Sequence, residues 1–555
     1  MRKWFKFAPV ALLIAAAAAP AMAAQPATPG WPSIDKQLKK DHVRPGTALE
    51  ALVYENQDFG MLFPEEANDT IPVPAWLRVW FRKGHPELTY DREDPTKGYP
   101  RVLHEVYEWM VSHQELRPTM ADVEAAPDGD IGDMDVIAGA ATVGTNVRTS
   151  GAQTSPRSES DIRINYWNPN LVVAASNNIS ASGQQAQFYS SDGGATWGQT
   201  FLPLGTDSYH SDPTVDWTSN GTAWSTSIGI KGNILKMRAF KSTNNGVTWT
   251  SDATFSGTQK STDKQIMWAD HSATSPYKDT IYVCWHNGTP LYVNRRTAAG
   301  WGATPIQVSG AESSGTAIGC DVRTNLAGDA FVFWPTTTNR RIVVAKSTNG
   351  GASWGAGKVI ATTFDGYDIG IPSFNNRRAL IYVSGGAYGS NVYATWVDLT
   401  GETGCTSATN EPGSNAASSC KTRVWFARST DGGTTWGAPV MINNQASKND
   451  QFNQWFVVDE TTGRIGVMYY DTVNDATRKK TDVYFQSSSD GGVTWSAATK
   501  VSTAMTDETV AGADSGNQYG DYNSLSAYAG KFFPSWTDRR NNAKEEIWTA
   551  PVQEP

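Results

Sequence analysis

Nowhere in this chain do lysine and arginine cluster, and the formal net charge is −9. Phosphate backbones are gripped by clustered Lys and Arg, so a nucleic-acid partner is excluded. Charged residues make up only 18% of the sequence, a poor fit to a long-helical or disordered protein. Past the first residues no stretch approaches the roughly 20 apolar residues that a spanning helix needs, so no membrane span is expected. There are four cysteines, and none lies in a Cys/His cluster with zinc-ligand spacing.

What is present points to strands and tight turns. Glycine (50 residues), Trp (22) and Tyr (20) are abundant, a profile of short strands joined by turns. The first residues have the form of an export signal: a basic start at Arg2, Lys3 and Lys6, an apolar run from Ala8 to Ala19, and a small-residue cleavage site at Ala21-Met22-Ala23. Cleavage near Ala23 predicts removal of residues 1–23 and a secreted or periplasmic protein. Export permits disulfides. Cys405 and Cys420 bracket a Ser/Asn/Gly-rich insertion and read as the staple of a surface loop, while Cys284 and Cys320 either pair across neighbouring repeats or are two buried thiols.

Residues 24–135 read as a helical and irregular N-terminal region. Val102, Val106, Trp109, Met110 and His113 fall at helical spacing, and an acidic, glycine-bearing linker follows at 125–136. From about residue 140 to 555 the chain repeats itself. Six turns align: SSDGGATW (190–197), STNNGVTW (242–249), the degenerate NRRTAAGW (294–301), STNGGASW (347–354), STDGGTTW (429–436) and SSDGGVTW (488–495). In each intact turn the Asp or Asn side chain is placed to accept from backbone N–H groups, and the Gly supplies positive φ.

Upstream of the turns, Asp161, Asp212, Asp263, Asp321, Asp368, Asp450 and Asp521 each open a strand-turn-strand unit. Most second strands end in an aromatic: Trp224, Trp285, Trp334, Trp396, Tyr469 and Trp536. Seven openings with six turns predict an all-β, seven-bladed β-propeller, with six blades as the alternative. The missing outer strand of the last blade is expected at 145–152, which would close the ring and remove the open sheet edges.

These turns resemble the Asp-box, or BNR, repeats of the sialidase superfamily, and the resemblance covers residues of about 140–555. It implies an exported glycan-active protein, above all a sialidase-like glycoside hydrolase acting on an extracellular glycan or glycoconjugate as a monomer. The alternatives are a non-catalytic glycan- or protein-binding propeller and a polysaccharide lyase. The family pattern of Arg-Ile-Pro on the first inner strand corresponds here to Arg163-Ile164 followed by Asn165.

The turn aspartates recur in nearly every blade and so read as architecture. Residues that break the repeat are the better site candidates. Tyr470, Asp471, Asp538 and His286 are the expected catalytic group, with Arg163, Arg323, Arg539 and Trp285 binding substrate. The bland alternative pairs Arg163 with Asp161 and Arg323 with Asp321 as simple ion pairs, and makes the opening aspartates blade-joining acceptors. No cofactor is expected; Asp212, Asp263 and Asp521 are the residues that would converge on a structural calcium, since oxygen ligands suit that ion.

Overall fold

The computed structural model describes residues 141–540 and 544–554. The expected export signal, the helical N-terminal region and the linker lie outside the described residues. The rest is all-β, a seven-bladed propeller whose described residues include one helical turn, Ala408–Asn410. The first, channel-lining strands of the blades are Arg157–Ile164, Tyr209–Trp217, Thr262–Ala269, Asp321–Thr324, Val383–Tyr388, Gln451–Val458 and Ser524–Tyr528. Each pairs antiparallel with the next strand in sequence, and so on outward. In blade 3 the outermost position is split between Gly300–Trp301 and Ile306–Gln307.

Blade 7 closes the ring as the repeat count demands. Its outermost strand is Val147–Arg148, with Val147 opposite Thr549 and Arg148 opposite Trp548. A second tie pairs Thr142–Val143 with Val552–Gln553, which in turn pairs with Lys531 and Phe532. An additional two-stranded hairpin, Asp368–Ile369 with Ala379–Leu380, precedes blade 5.

The repeated turns are built as their residue types dictate. In the first, Ser190 Oγ donates to Asp192 Oδ1 (2.7 Å) and accepts from the Gly194 N–H (2.9 Å), while Asp192 Oδ1 accepts from the Thr196 N–H (2.9 Å). The same bonds recur around Ser242, Ser347, Ser429 and Ser488. Glycine is needed at Gly194 twice over. Its φ is +87°, and a Cβ there would stand 2.9 Å from the Phe533 ring of the preceding blade. In blade 3 the degenerate segment makes a tight hairpin instead, with Thr297 opposite Gly300.

The six second-strand aromatics are all buried, none more than 4% exposed. At ~25 cal/mol/Å², about 200 Å² of buried indole contributes roughly 5 kcal/mol as an upper bound. Both cysteine pairs are disulfides. Cys405–Cys420 staples the insertion of blade 5, and Cys284–Cys320 ties the second strand of blade 3 to the head of blade 4.

Each first strand leaves an unpaired edge toward the channel, and side chains of the preceding blade satisfy part of it. Asp161 Oδ2 accepts from Val215 N (2.8 Å), Asp321 Oδ2 from Gly385 N (2.8 Å), and Ser384 Oγ from Phe456 N (2.9 Å). Ser524 Oγ accepts from Ile162 N at 3.4 Å across the closing seam. These bonds place Asp161, Thr214, Asp321, Ser384, Trp455 and Ser524 at one level of the channel, each one residue before or opposite a stitched amide.

The aspartates aligned by letter in the sequence therefore do not share one level. Four first strands carry a β-bulge near their heads, between Ser158 and Asp161, Ser211 and Thr214, Asp263 and Ile266, and Phe452 and Trp455. The bulges put Asp161 and Asp321 one level deeper than Asp212. Asp450 precedes its strand and is held by Arg478 (Nε to Oδ2, 2.7 Å). Asp368 belongs to the additional hairpin and pairs with Arg378 at 2.7 Å.

Candidate functional site

Two residues above each stitching position lies the bulge residue, and its identity differs in every blade. Going round the ring these are Glu159, Asp212, Lys264, Gly319, Tyr382, Asn453 and Tyr522. Glu159, Asp212, Lys264 and Asn453 all hold positive φ, between +46° and +60°. Left-handed backbone is uncommon for residues other than glycine, and bulges commonly re-aim side chains next to functional sites. A residue that no blade needs, held in a conformation that few residues adopt, is the signature of a site.

The side chains meet across the channel mouth. Lys264 Nζ of blade 3 lies 3.3 Å from the ring centroid of Tyr522 in blade 7 and 5.4 Å from that of Tyr382 in blade 5. Lys264 is only 3% exposed, and its ammonium, the Tyr522 hydroxyl and His286 Nδ1 are buried without a hydrogen-bond partner. Asn177 links two ring members. Its Nδ2 donates to Glu159 Oε2 (2.5 Å), and its Oδ1 accepts from the Asp212 N–H (2.8 Å). Asp521 donates its N–H to Glu159 Oε1 (3.1 Å), and its own carboxylate pairs with Arg377.

Electrostatics separate the carboxyls. Burial, then Asp212, pushes Glu159 up to about 8 against the pull of Arg377 and Lys264. Asp263, one residue above the ring and half-buried, is raised to about 7 by burial and by Asp212, with Lys264 opposing. Burial lowers Lys264 to about 8 although Asp212 and Glu159 favour its charge. His286, opposite Asp263 in the sheet register, is lowered to about 4 by burial and Lys264 and is neutral at physiological pH. Tyr522 is raised well above an ordinary phenol by burial, Asp212 and Glu159, so it stays protonated.

Asp212, Asp263, Asp521 and His286 are thus gathered at the mouth. The other sequence candidates are not. Tyr470 is fully buried in the wall, donating to the Thr537 carbonyl at 2.6 Å and stacking on Phe452. Asp471 accepts from Asn449 (2.6 Å) and Gln451 (3.1 Å), and burial raises it to about 6. Asp538 is buried and bonded to Trp536 and Arg540. Arg539 lies 3.4 Å from Glu545. Trp285 is core, with its indole N–H on Gln259 (2.7 Å).

Arg163 and Arg323 lie two residues deeper than the stitching level. Each guanidinium sits 2.8 Å from its own aspartate, Asp161 or Asp321, and both approach Trp268, at 5.8 and 4.6 Å. Below them the channel is crossed. His271 contacts Asp216 of blade 2 (2.9 Å) and Glu460 of blade 6 (2.7 Å), and Tyr166 stacks on its ring. Among the described residues no group of three or more His, Cys, Asp or Glu side chains is placed to hold a metal ion, the aspartates at the mouth included. Among the described residues no helix is long and apolar enough to cross a membrane.

The sequence matches no protein-family model and no curated protein. Solved structures similar to the chain include a protein of unknown function from Dyadobacter fermentans, at 12% identity over 75% of this chain and 100% of that one, with a TM-score of 0.39. An α-L-arabinofuranosidase from Fusarium graminearum is similar at 13% identity, over 61% of this chain and 92% of that one, TM-score 0.39. The NanB sialidase of Streptococcus pneumoniae is similar at 10% identity, over 65% and 70% of the respective chains, TM-score 0.39.

Proposed function

We propose that the protein is a glycan-active propeller hydrolase that works at the bulge ring of the channel mouth. The observation that carries this reading is the division of labour among adjacent carboxyls: Asp212 stands between Glu159 and Asp263, both of which keep a proton near neutral pH. Glycoside hydrolysis needs that division, one carboxylic acid to protonate the departing oxygen and one carboxylate to attack or to activate water. Asp263 is the general acid, since it is the more exposed of the protonated pair and its value lies near working pH. Asp212 is the nucleophile or base. Glu159 is a positioning residue: it holds Asn177, which holds the left-handed Asp212 backbone.

A tyrosinate nucleophile is disfavoured by the same electrostatics, because Tyr522 and Tyr382 are both raised well above the ordinary phenol range by burial. The test is release of sugar from a panel of aryl glycosides and polysaccharides by the full chain and by D212N and D263N. Each variant should lose roughly 10²–10⁴-fold in kcat, the usual worth of an acid or base. Variants as active as the wild type on a substrate it cleaves would overturn the assignment.

A further inference from the structure

Resting on that reading of the mouth, we infer that the site takes a neutral sugar and not an acidic one such as a sialic acid or a uronate. Gripping a sugar carboxylate requires a cation with unspent hydrogen-bonding capacity, ordinarily a bidentate arginine. The arginines that the sequence offers for this are each paired with a carboxylate of the protein. Arg163 is held by Asp161 and Arg323 by Asp321, both at 2.8 Å and both below the ring. Arg539 faces Glu545 at 3.4 Å, Arg540 faces Asp538 at 2.6 Å, and Arg377 is paired with Asp521. Arg157, at the head of the first strand, gives both terminal nitrogens to amide and carbonyl oxygens of Gln153, Asn178, Ser155 and Pro156.

The remaining cation, Lys264, is buried over the face of Tyr522 between Glu159 and Asp212. A sugar carboxylate brought to the mouth meets Asp212 ionised and two carboxyls already pushed toward protonation by burial and by that same aspartate. Like charges that close in a buried setting repel strongly. A neutral ring meets hydroxyl, amide and carboxyl partners at Asn453, Asp263 and Asp212 and the aromatic side chains of Tyr382 and Tyr522. The mouth is equipped for hydroxyls.

The experiment uses matched pairs that differ only in the acid group: polygalacturonan against its carboxyl-reduced form, and sialylated against desialylated glycans. Both sugar release and equilibrium binding by calorimetry are read on the full chain and on D212N. The expected result is a preference of at least about 100-fold for the neutral member in kcat/KM or in affinity. Binding of neutral glycans without release upholds this inference while removing the hydrolase reading. Equal or better handling of the acidic member overturns the inference and leaves hydrolysis standing. Neither binding nor release of any member, neutral or acidic, overturns both.

Discussion

Replacing His271 with glutamine removes the cation that joins blade 2 to blade 6 across the floor of the channel. Burial works against its charged form, yet Asp216 and Glu460, 2.9 and 2.7 Å away, outweigh burial and raise it to about 10. A histidine whose value rises from 6.5 to about 10 on folding is worth about 4–5 kcal/mol at ~1.4 kcal/mol per pH unit. Loss of one partner of a buried pair costs about 3–5 kcal/mol, so both routes agree. Because the folded value is the higher one, the stabilisation is fully present below the unfolded value of 6.5 and is lost as pH climbs toward 10. Urea unfolding of wild type and H271Q at pH 6 and at pH 9.5 reads this directly. The gap between them should be about 3–5 kcal/mol at the lower pH and close to zero at the higher. Subtracting the variant cancels Glu159, Asp263 and Lys264, which titrate in the same window in both proteins. A gap below about 1 kcal/mol at pH 6, or one that does not shrink with pH, refutes the account of the floor.

Three further outcomes are expected. With a substrate that the wild type cleaves, kcat/KM should fall above pH 7 as Asp263 loses its proton, with an apparent value belonging to the coupled mouth as a whole. In K264M that alkaline limb should move to higher pH, since Lys264 is among the groups that hold Asp263 down; an unmoved limb would separate Lys264 from the acid. The C284A/C320A double variant should lose about 4 kcal/mol in denaturant unfolding, the chain-entropy worth of joining residues 36 apart, and a loss under 1 kcal/mol contradicts that model. S384A leaves the Phe456 amide without its 2.9 Å acceptor and should cost about 1–3 kcal/mol by the same measurement.

The ring was legible in the sequence because its turns are local. Ser, Asp or Asn, Gly and Trp satisfy one another within eight residues, so the letters recur wherever the geometry does. The closing strand was legible for the opposite reason, as the one piece missing from an otherwise complete set. The site was not legible, and the cause is the β-bulge. An inserted residue shifts every later position by one, so aligning aspartates by letter joined Asp161, a stitching residue, with Asp212, a mouth residue. Glu159, Lys264, Tyr382 and Tyr522 share a structural position that no fixed spacing marks, since the loops that follow differ in length between blades. Comparing blades for residues that break the repeat was a sound test applied at a shifted register. Arg163, Arg323, Arg539, Tyr470 and Asp538 broke the repeat for a plainer reason: each is bonded to a nearby group in the wall or channel.

Blade 7 is shared by distant parts of the chain: Val147–Arg148 can dock only on Glu546–Thr549, and Thr142–Val143 only on Val552–Gln553. A chain still being synthesised or threaded through a pore can finish the middle blades one after another, but not the circle. Until about the last ten residues emerge, the first blade and the sixth each face solvent with a sheet meant to be covered. The circle is therefore a check on completeness. A product truncated before Glu546 keeps two unlatched flanks open to proteases, whereas a full-length chain hides both in a single closing event.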